Sequence, residues 1–210
     1  MAGYFDCQRV DNFAMWRLGP VWHDEKELAE TWAKAHPFPH LVIDDFVAAD
    51  ALEGLLAAVN LEPFERYQGD IFAFEASAPR PRTEGFIALR ESFGVLLAPP
   101  LSRITGKSLD SMDMRAYAYG PGHYLLPHID ERGPLAYAYY LPSPEPPRGG
   151  ELELFACRAE NAELVSTESA HVIEPRANRL VVFDVSDVGL HQVREVLAGL
   201  RLSLAGGFYS

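Results

Sequence analysis

Glu151-Leu152-Glu153-Leu154 alternates charged and apolar side chains one by one, and that two-residue rhythm decides the fold. Successive side chains of an extended strand point to opposite faces, so this stretch reads as a strand with one wet and one buried face. Outward from it, a texture of short strands separated by Gly, Pro and Asn starts at Asp113 and runs to the C-terminus. The candidate strands are Met114–Tyr119, Pro134–Leu141, Glu151–Ala156, His171–Glu174, Arg179–Val185, His191–Val196 and Leu200–Phe208. Seven short strands with no helix between them predict a closed antiparallel barrel or jelly roll.

The half before Asp113 reads differently. Asp24 and Glu27 form a capping box ahead of a helix through Ala35, with Leu28, Ala29, Trp32 and Ala33 on one face and Pro37 and Pro39 as its stop. His40-Leu41-Val42-Ile43 is a short buried strand. A second box, Asp50 and Glu53, precedes Leu52, Leu55, Leu56 and Val59 at helical spacing. Phe86, Leu89, Phe93, Leu96 and Leu97 make a third stripe, which Pro99-Pro100 should end. Between the last two helices, Glu62–Arg82 reads as loop apart from a strand at Gly69–Phe74; Tyr67, Phe72, Phe74, Arg80 and Arg82 there are candidates for substrate contact. The chain is thus expected to be mostly β with N-terminal helices covering one sheet. It should form one domain over 1–210, with 1–110 as helical support and substrate loop and 111–210 as the core.

The 210 residues carry a formal net charge of −12, and 48% are hydrophobic, as in a soluble globular protein. That acidic balance argues against nucleic acid as a partner, because phosphate neutralisation needs clustered Lys and Arg. Cys7 and Cys157 are far apart with no C-x-x-C, so free thiols in a reducing cytoplasm are expected. The start carries Asp6, Arg9 and Asp11 without a continuous apolar run, so neither a signal peptide nor a membrane partner is expected.

Chemistry enters with His128-Ile129-Asp130. Residues two apart in a strand share a face, so His128 and Asp130 can reach one small ion together. A jelly roll can bring a distant segment beside them, and His191 opens a later strand. Two imidazoles and one carboxylate form the facial triad that holds Fe(II) and leaves positions open for reactants. Taken singly, H-x-D can be a satisfied polar pair and His191 a core histidine with a backbone partner. The set is more telling: H-x-D, Gly149-Gly150-Glu151-Leu152, His191-Gln192-Val193, then Arg201-Leu202-Ser203. Arg201 and Ser203 can both face the barrel interior while Leu202 and Leu204 face the covering helices. A guanidinium there needs an anionic partner, which a ligand carboxylate would supply. His123 and His171 are read as surface or hydrogen-bonded residues; His23, His36 and His40 need no metal role.

These residues together resemble the 2-oxoglutarate- and Fe(II)-dependent dioxygenases, specifically the prolyl 4-hydroxylase-like branch. The resemblance runs from Phe38-Pro39-His40-Leu41-Val42-Ile43-Asp44-Asp45-Phe46 to the C-terminus, about four-fifths of the chain. It implies a double-stranded β-helix core of the jelly-roll or cupin kind, with iron on His128, Asp130 and His191. It also implies that Arg201 holds the distal carboxylate of 2-oxoglutarate, assisted by Ser203, Tyr119 of Tyr119-Gly120-Pro121-Gly122, and Tyr140. Pro142 stands where many relatives have Asn. O2 is the other co-substrate, and ascorbate is a candidate stimulant. The implied reaction is hydroxylation of an unactivated C–H with release of succinate and CO2. Asp130 is present, whereas halogenating relatives lose the carboxylate.

Two substrate classes fit this reading. One is a prolyl residue in a protein or peptide, which asks for an open groove. The other is a free amino acid or natural product, which asks for a closed pocket with one or two charge anchors; Arg80, Arg82, Arg115 and Arg132 could supply anchors for either class. A non-catalytic cupin-like protein that binds a carboxylate or a metal would also explain the barrel and Arg201, but not an open triad. Metal-dependent succinate production separates it from an enzyme. The residues leave the oligomeric state open.

Overall fold

The computed structural model describes residues 16–160 and 163–210; Asp6, Cys7, Arg9 and Asp11 lie outside them. Helix α1 (Glu25–Lys34) begins where its capping box predicts, with the Asp24 carboxylate accepting from the Glu27 amide at 2.9 Å. Strand β1 (His40–Ile43) comes after the two prolines. Helix α2 (Leu52–Leu61) starts later than its box predicts. A short 3-10 turn, Ala49–Ala51, takes the cap position, and Asp50 pairs with Arg17 instead of capping an amide.

The segment expected to be mostly loop is a regular hairpin, β2 (Phe64–Gln68) and β3 (Phe72–Ser77). Gly69 closes its turn by donating to the Phe72 carbonyl at 2.9 Å. Pro63 and Pro79 sit at its ends, where no ladder bond is lost. Buried Glu62 ties the base of the hairpin to the chain beyond it, accepting from the Arg82 and Thr83 amides and the Thr83 hydroxyl.

Helix α3 (Glu84–Thr105) passes through Pro99 and Pro100 rather than stopping before them. The prolines lie toward solvent, Pro99 exposed and Pro100 half-buried, so water can take the carbonyls they leave without donors. Leu101 and Ile104 continue the buried stripe past them, and Gly106, at φ 73°, ends the helix.

The strand half contains β4 (Ser111–Met112), β5 (Arg115–Tyr119), β6 (Tyr124–His128), β7 (Leu135–Leu141), β8 (Arg148–Gly149), β9 (Leu152–Glu160), β10 (Glu163–Ile173), β11 (Arg179–Asp184), β12 (His191–Val193), β13 (Val196–Ala198) and β14 (Arg201–Tyr209). The stretch His171–Glu174 belongs to the end of the much longer β10, and His191–Val196 divides between β12 and the start of β13. Strand β6 has no signature in the sequence, because Tyr124-Leu125-Leu126-Pro127-His128 does not alternate and contains a proline.

One antiparallel sheet runs β1-β11-β7-β14-β5-β3-β6-β12-β9-β10, with β2 on β3, β4 on β14, and a separate β8–β13 pair. Its outer face carries Leu41, Ile43, Leu180, Val182, Tyr139, Leu202 and Leu204, packed against Leu28, Trp32, Leu55, Phe86, Leu89 and Phe93 of the three helices. Its inner face carries Ala136, Ala138, Tyr140, Val181 and Phe183, in one apolar cluster with Leu152 and Leu154 of β9. A sheet whose far strands return to cover its own inner face is a curled double-stranded β-helix. It is walled on one side by helices, as expected.

Candidate active site

His128 ends β6, His191 opens β12, and the two are direct ladder partners. Their ring centroids stand 4.2 Å apart. Asp130 lies beyond the end of β6, so a shared strand face is not what unites it with His128. The chain leaves the ladder after His128 and brings Asp130 back over both rings. His128 Nε2 is 3.7 Å from Asp130 Oδ1, and His191 Nε2 is 3.8 Å from Oδ2. These gaps are too long for hydrogen bonds and match the room an ion needs at about 2 Å from each ligand. One ligand atom from each residue lies within 4.8 Å of the others.

The backbone fixes which ring nitrogens face the centre. His128 Nδ1 lies 3.0 Å from the Leu126 carbonyl and His191 Nδ1 lies 2.9 Å from the Gly189 carbonyl. A carbonyl only accepts, so each Nδ1 carries the proton and donates, leaving the Nε2 lone pair free. Burial, with the neighbouring His128, pushes His191 down to about 4, which keeps its imidazole neutral at physiological pH. The Phe183 ring stands edge-on to His191 at 4.7 Å and fixes the ring plane from the inner face.

Arg201 begins β14 and is only 4% exposed. Its Nη1 donates to Ser203 Oγ at 3.3 Å, and its guanidinium carbon lies 4.7 Å from the Tyr119 ring centroid and 5.0 Å from that of Tyr140. Arg201 Nε and Tyr140 Oη are both buried without a hydrogen-bond partner. Among the described residues no ion pair holds this guanidinium. A buried cation beside unused polar atoms fits an anionic ligand whose oxygens complete the set. Gly150, at φ 75°, makes room for it: an added Cβ would come within 3.0 Å of Arg201 Cδ.

The triad and Arg201 line one cavity of about 620 Å³ with Tyr119, Ser203, Phe72, Phe74, Tyr117, Asp113, Arg132 and Tyr209. That is about twenty water volumes, room for a five-carbon diacid and part of a second molecule. Tyr140 approaches from the apolar cluster behind the Arg201 end. Of the four arginines expected as anchors, Arg132 lines the cavity. Arg82 pairs with Glu65, Arg115 donates to the Ser77 carbonyl, and Arg80 lies exposed on the surface. The spare histidines have other contacts: His123 accepts from the Gly120 amide, and His171 packs edge-on against His40. Phe183, Tyr117, Asp113 and Tyr209 belong to the site without any motif to mark them. For the three aromatic residues the signal is strand parity, visible only once the register of β5, β11 and β14 is known; Asp113 lies between β4 and β5. No helix among the described residues is long and apolar enough to cross a membrane.

Residues 114–209 match the 2OG-Fe(II) oxygenase superfamily. Among curated proteins, prolyl 3-hydroxylase OGFOD1 of Mus musculus is 32% identical over 205 residues, covering 88% of this chain and 37% of its own length. OGFOD1 of Xenopus laevis is 34% identical over 182 residues, covering 82% and 35%. The chain therefore spans about a third of the length of the curated relatives it matches. A Pseudomonas putida prolyl-4-hydroxylase shares the fold with a TM-score of 0.63 at 22% identity, over 87% of this chain and 98% of that one. A Trichoplax adhaerens prolyl hydroxylase, solved with a hypoxia inducible factor oxygen degradation domain peptide fragment, does so at 0.67 and 18%, over 90% and 91%. Sequence match, curled sheet and His-Asp-His cluster agree: residues 114–209 of this chain form a 2OG-Fe(II) oxygenase superfamily domain.

Proposed function

We propose that this chain hydroxylates a prolyl residue of a peptide or protein, consuming 2-oxoglutarate and O2 and releasing succinate and CO2. One oxygen atom enters the new hydroxyl and the other enters succinate, so the reaction balances without a further reductant. The observation that carries the proposal is the convergence of His128, Asp130 and His191 in the cavity that also holds buried, unpaired Arg201. The curated relatives, both prolyl 3-hydroxylases, support proline as the residue attacked.

In this reading His128 Nε2, His191 Nε2 and a carboxylate oxygen of Asp130 hold Fe(II), which supplies oxygen activation when bound. The Leu126 and Gly189 carbonyls keep each Nδ1 protonated and each ring in plane. Arg201 binds the distal carboxylate of 2-oxoglutarate, with Ser203 Oγ and the Tyr119 and Tyr140 hydroxyls as its other partners. The charges then cancel: one carboxylate and one guanidinium from the chain, a dication, and a dianionic co-substrate. The apolar walls from Leu125, Phe183 and Val193 keep the reacting centre dry. The helical and strand halves act as one domain here, since α1–α3 share their core with the outer sheet face.

The test is succinate release by the full chain with Fe(II), 2-oxoglutarate and prolyl peptides, alongside product mass. Substrate-stimulated succinate and a gain of one oxygen atom are expected, both lost in His128→Ala and Asp130→Ala. Full activity in both variants would exclude the assignment.

A further inference from the structure

Strand β12 presents one of the triad histidines from a run of only three residues, His191–Val193, and its two neighbours hold it unequally. On the β6 side the pairing is irregular. His191 faces His128 and Val193 faces Leu125, so Leu126 and Pro127 share the place opposite Gln192. Neither offers β12 an amide there: Pro127 has none, and the Leu126 amide donates to the Ile71 carbonyl at 2.8 Å. On the β9 side the rungs run without a shift, His191 opposite Leu154, Gln192 opposite Glu153 and Val193 opposite Leu152. The Arg194 amide extends that ladder to the Glu151 carbonyl at 2.9 Å.

Glu153 stands in the middle of this regular side. Its neighbours Leu152 and Leu154 turn into the inner apolar cluster, so its carboxylate points to the opposite face, yet the residue is only 3% exposed. Gln192 and Arg194, just beyond His191, both bond to it. Gln192 Nε2 donates to Oε2 at 2.6 Å, Arg194 Nε donates to the same oxygen at 2.7 Å, and Arg194 Nη2 donates to Oε1 at 2.8 Å. A buried carboxylate is costly, and an apolar side chain would join two strands at less expense. What the carboxylate adds is direction: short charge-assisted bonds fix where Gln192 and Arg194 lie along β9. His191, one residue before Gln192, is fixed with them.

We propose that Glu153 is a positioning residue for the metal centre: through Gln192 and Arg194 it locks β12 onto β9 and holds His191 where the ion requires it. The proposal rests on the hydroxylase reading and deepens it. Glu153 faces away from the cavity and does not line it, so its effect reaches the chemistry only through His191. His128 closes its strand and Asp130 lies beyond it, which leaves β12 as the one ligand-bearing segment with a regular rail behind it. Supports of this kind set ligand placement, and metal affinity falls when they are removed.

The test reads metal affinity, which global stability alone does not set. Mn(II) is titrated into the full chain and the free ion followed by electron paramagnetic resonance. The variants are Glu153→Ala, Glu153→Gln, Arg194→Ala, the double variant Glu153→Ala with Arg194→Ala, His191→Ala and Leu204→Ala. Circular dichroism at the titration temperature checks the fold of each. Leu204→Ala, on the helix-facing side of β14, destabilises the chain without touching β12. Mn(II) affinity should fall about tenfold in Glu153→Ala and about threefold in Glu153→Gln, which keeps the reach and one acceptor. Arg194→Ala should weaken it several-fold, and the double variant no further than Glu153→Ala, since both substitutions remove the same link. Leu204→Ala should bind as the parent does. Unchanged affinity in folded Glu153→Ala and Arg194→Ala, or an equal loss in Leu204→Ala, overturns the proposal while the triad still binds. Parent affinity retained in His191→Ala would instead overturn the hydroxylase reading, and the role of Glu153 with it.

Discussion

The two faces of β14 are made by one run of nine residues and do opposite work. Leu202, Leu204 and Phe208 point outward into the helices and are buried among apolar neighbours. Arg201, Ser203, Ala205 and Gly207 point inward, where they line the cavity that also holds the triad. The outward row is packed for stability, while the inward row leaves space and keeps a cation unpaired. One residue step along the strand separates a position that holds the fold together from one that lines the cavity.

That division can be broken experimentally on either side. The largest effect is expected for Asp130→Ala, which removes the carboxylate proposed to hold the metal: succinate release should fall to background while the melting temperature changes little. Coupled assays with calorimetric metal titration check this. On the outer face, Leu204→Ala should cost about 3 kcal/mol of unfolding free energy, since a fully buried leucine is truncated. A urea titration measures it, and kcat per folded molecule should be near that of the parent. Arg201→Lys keeps the charge and loses the planar fork, so KM for 2-oxoglutarate should rise about tenfold to a hundredfold with stability nearly intact.

The smallest expected effect lies on neither face of β14 and is a control. Glu153 is buried on β9 and pulled down to about 2, first by its hydrogen bonds to Arg194. A carboxyl lowered on folding adds stability that is present above its unfolded value of 4.5 and is lost as pH falls toward 2. Unfolding free energies from urea titrations at pH 7 and pH 3 should therefore differ more for the parent chain than for Glu153→Gln, by about 2 kcal/mol.

Much of this site is legible from the residues alone. His128, Asp130, His191 and Arg201 carry chemistry that few structural roles explain, and their spacing fits strands of one barrel. The helix faces are legible too, because apolar periodicity reports burial directly. Three features are not. The end of α3 lies beyond its prolines because the carbonyls they leave without donors face water and the buried stripe resumes at Leu101 and Ile104. The hairpin is hidden because Phe64–Gln68 and Phe72–Ser77 carry charges outside and partly exposed rings inside, which dilutes the alternation. Phe183, Tyr117 and Tyr209 become site residues only through register, a property of strand pairs that no single strand encodes.

Arg201 sits at the buried end of its cavity, whereas Arg132 and the side chain of Asp130 are open to solvent. A peptide resting on the triad would therefore stand between the guanidinium and the outside. Under the proposed function, the diacid would have to be seated before the peptide, and succinate would leave only after the modified peptide. Initial-rate and product-inhibition patterns should accordingly show an ordered mechanism with 2-oxoglutarate first.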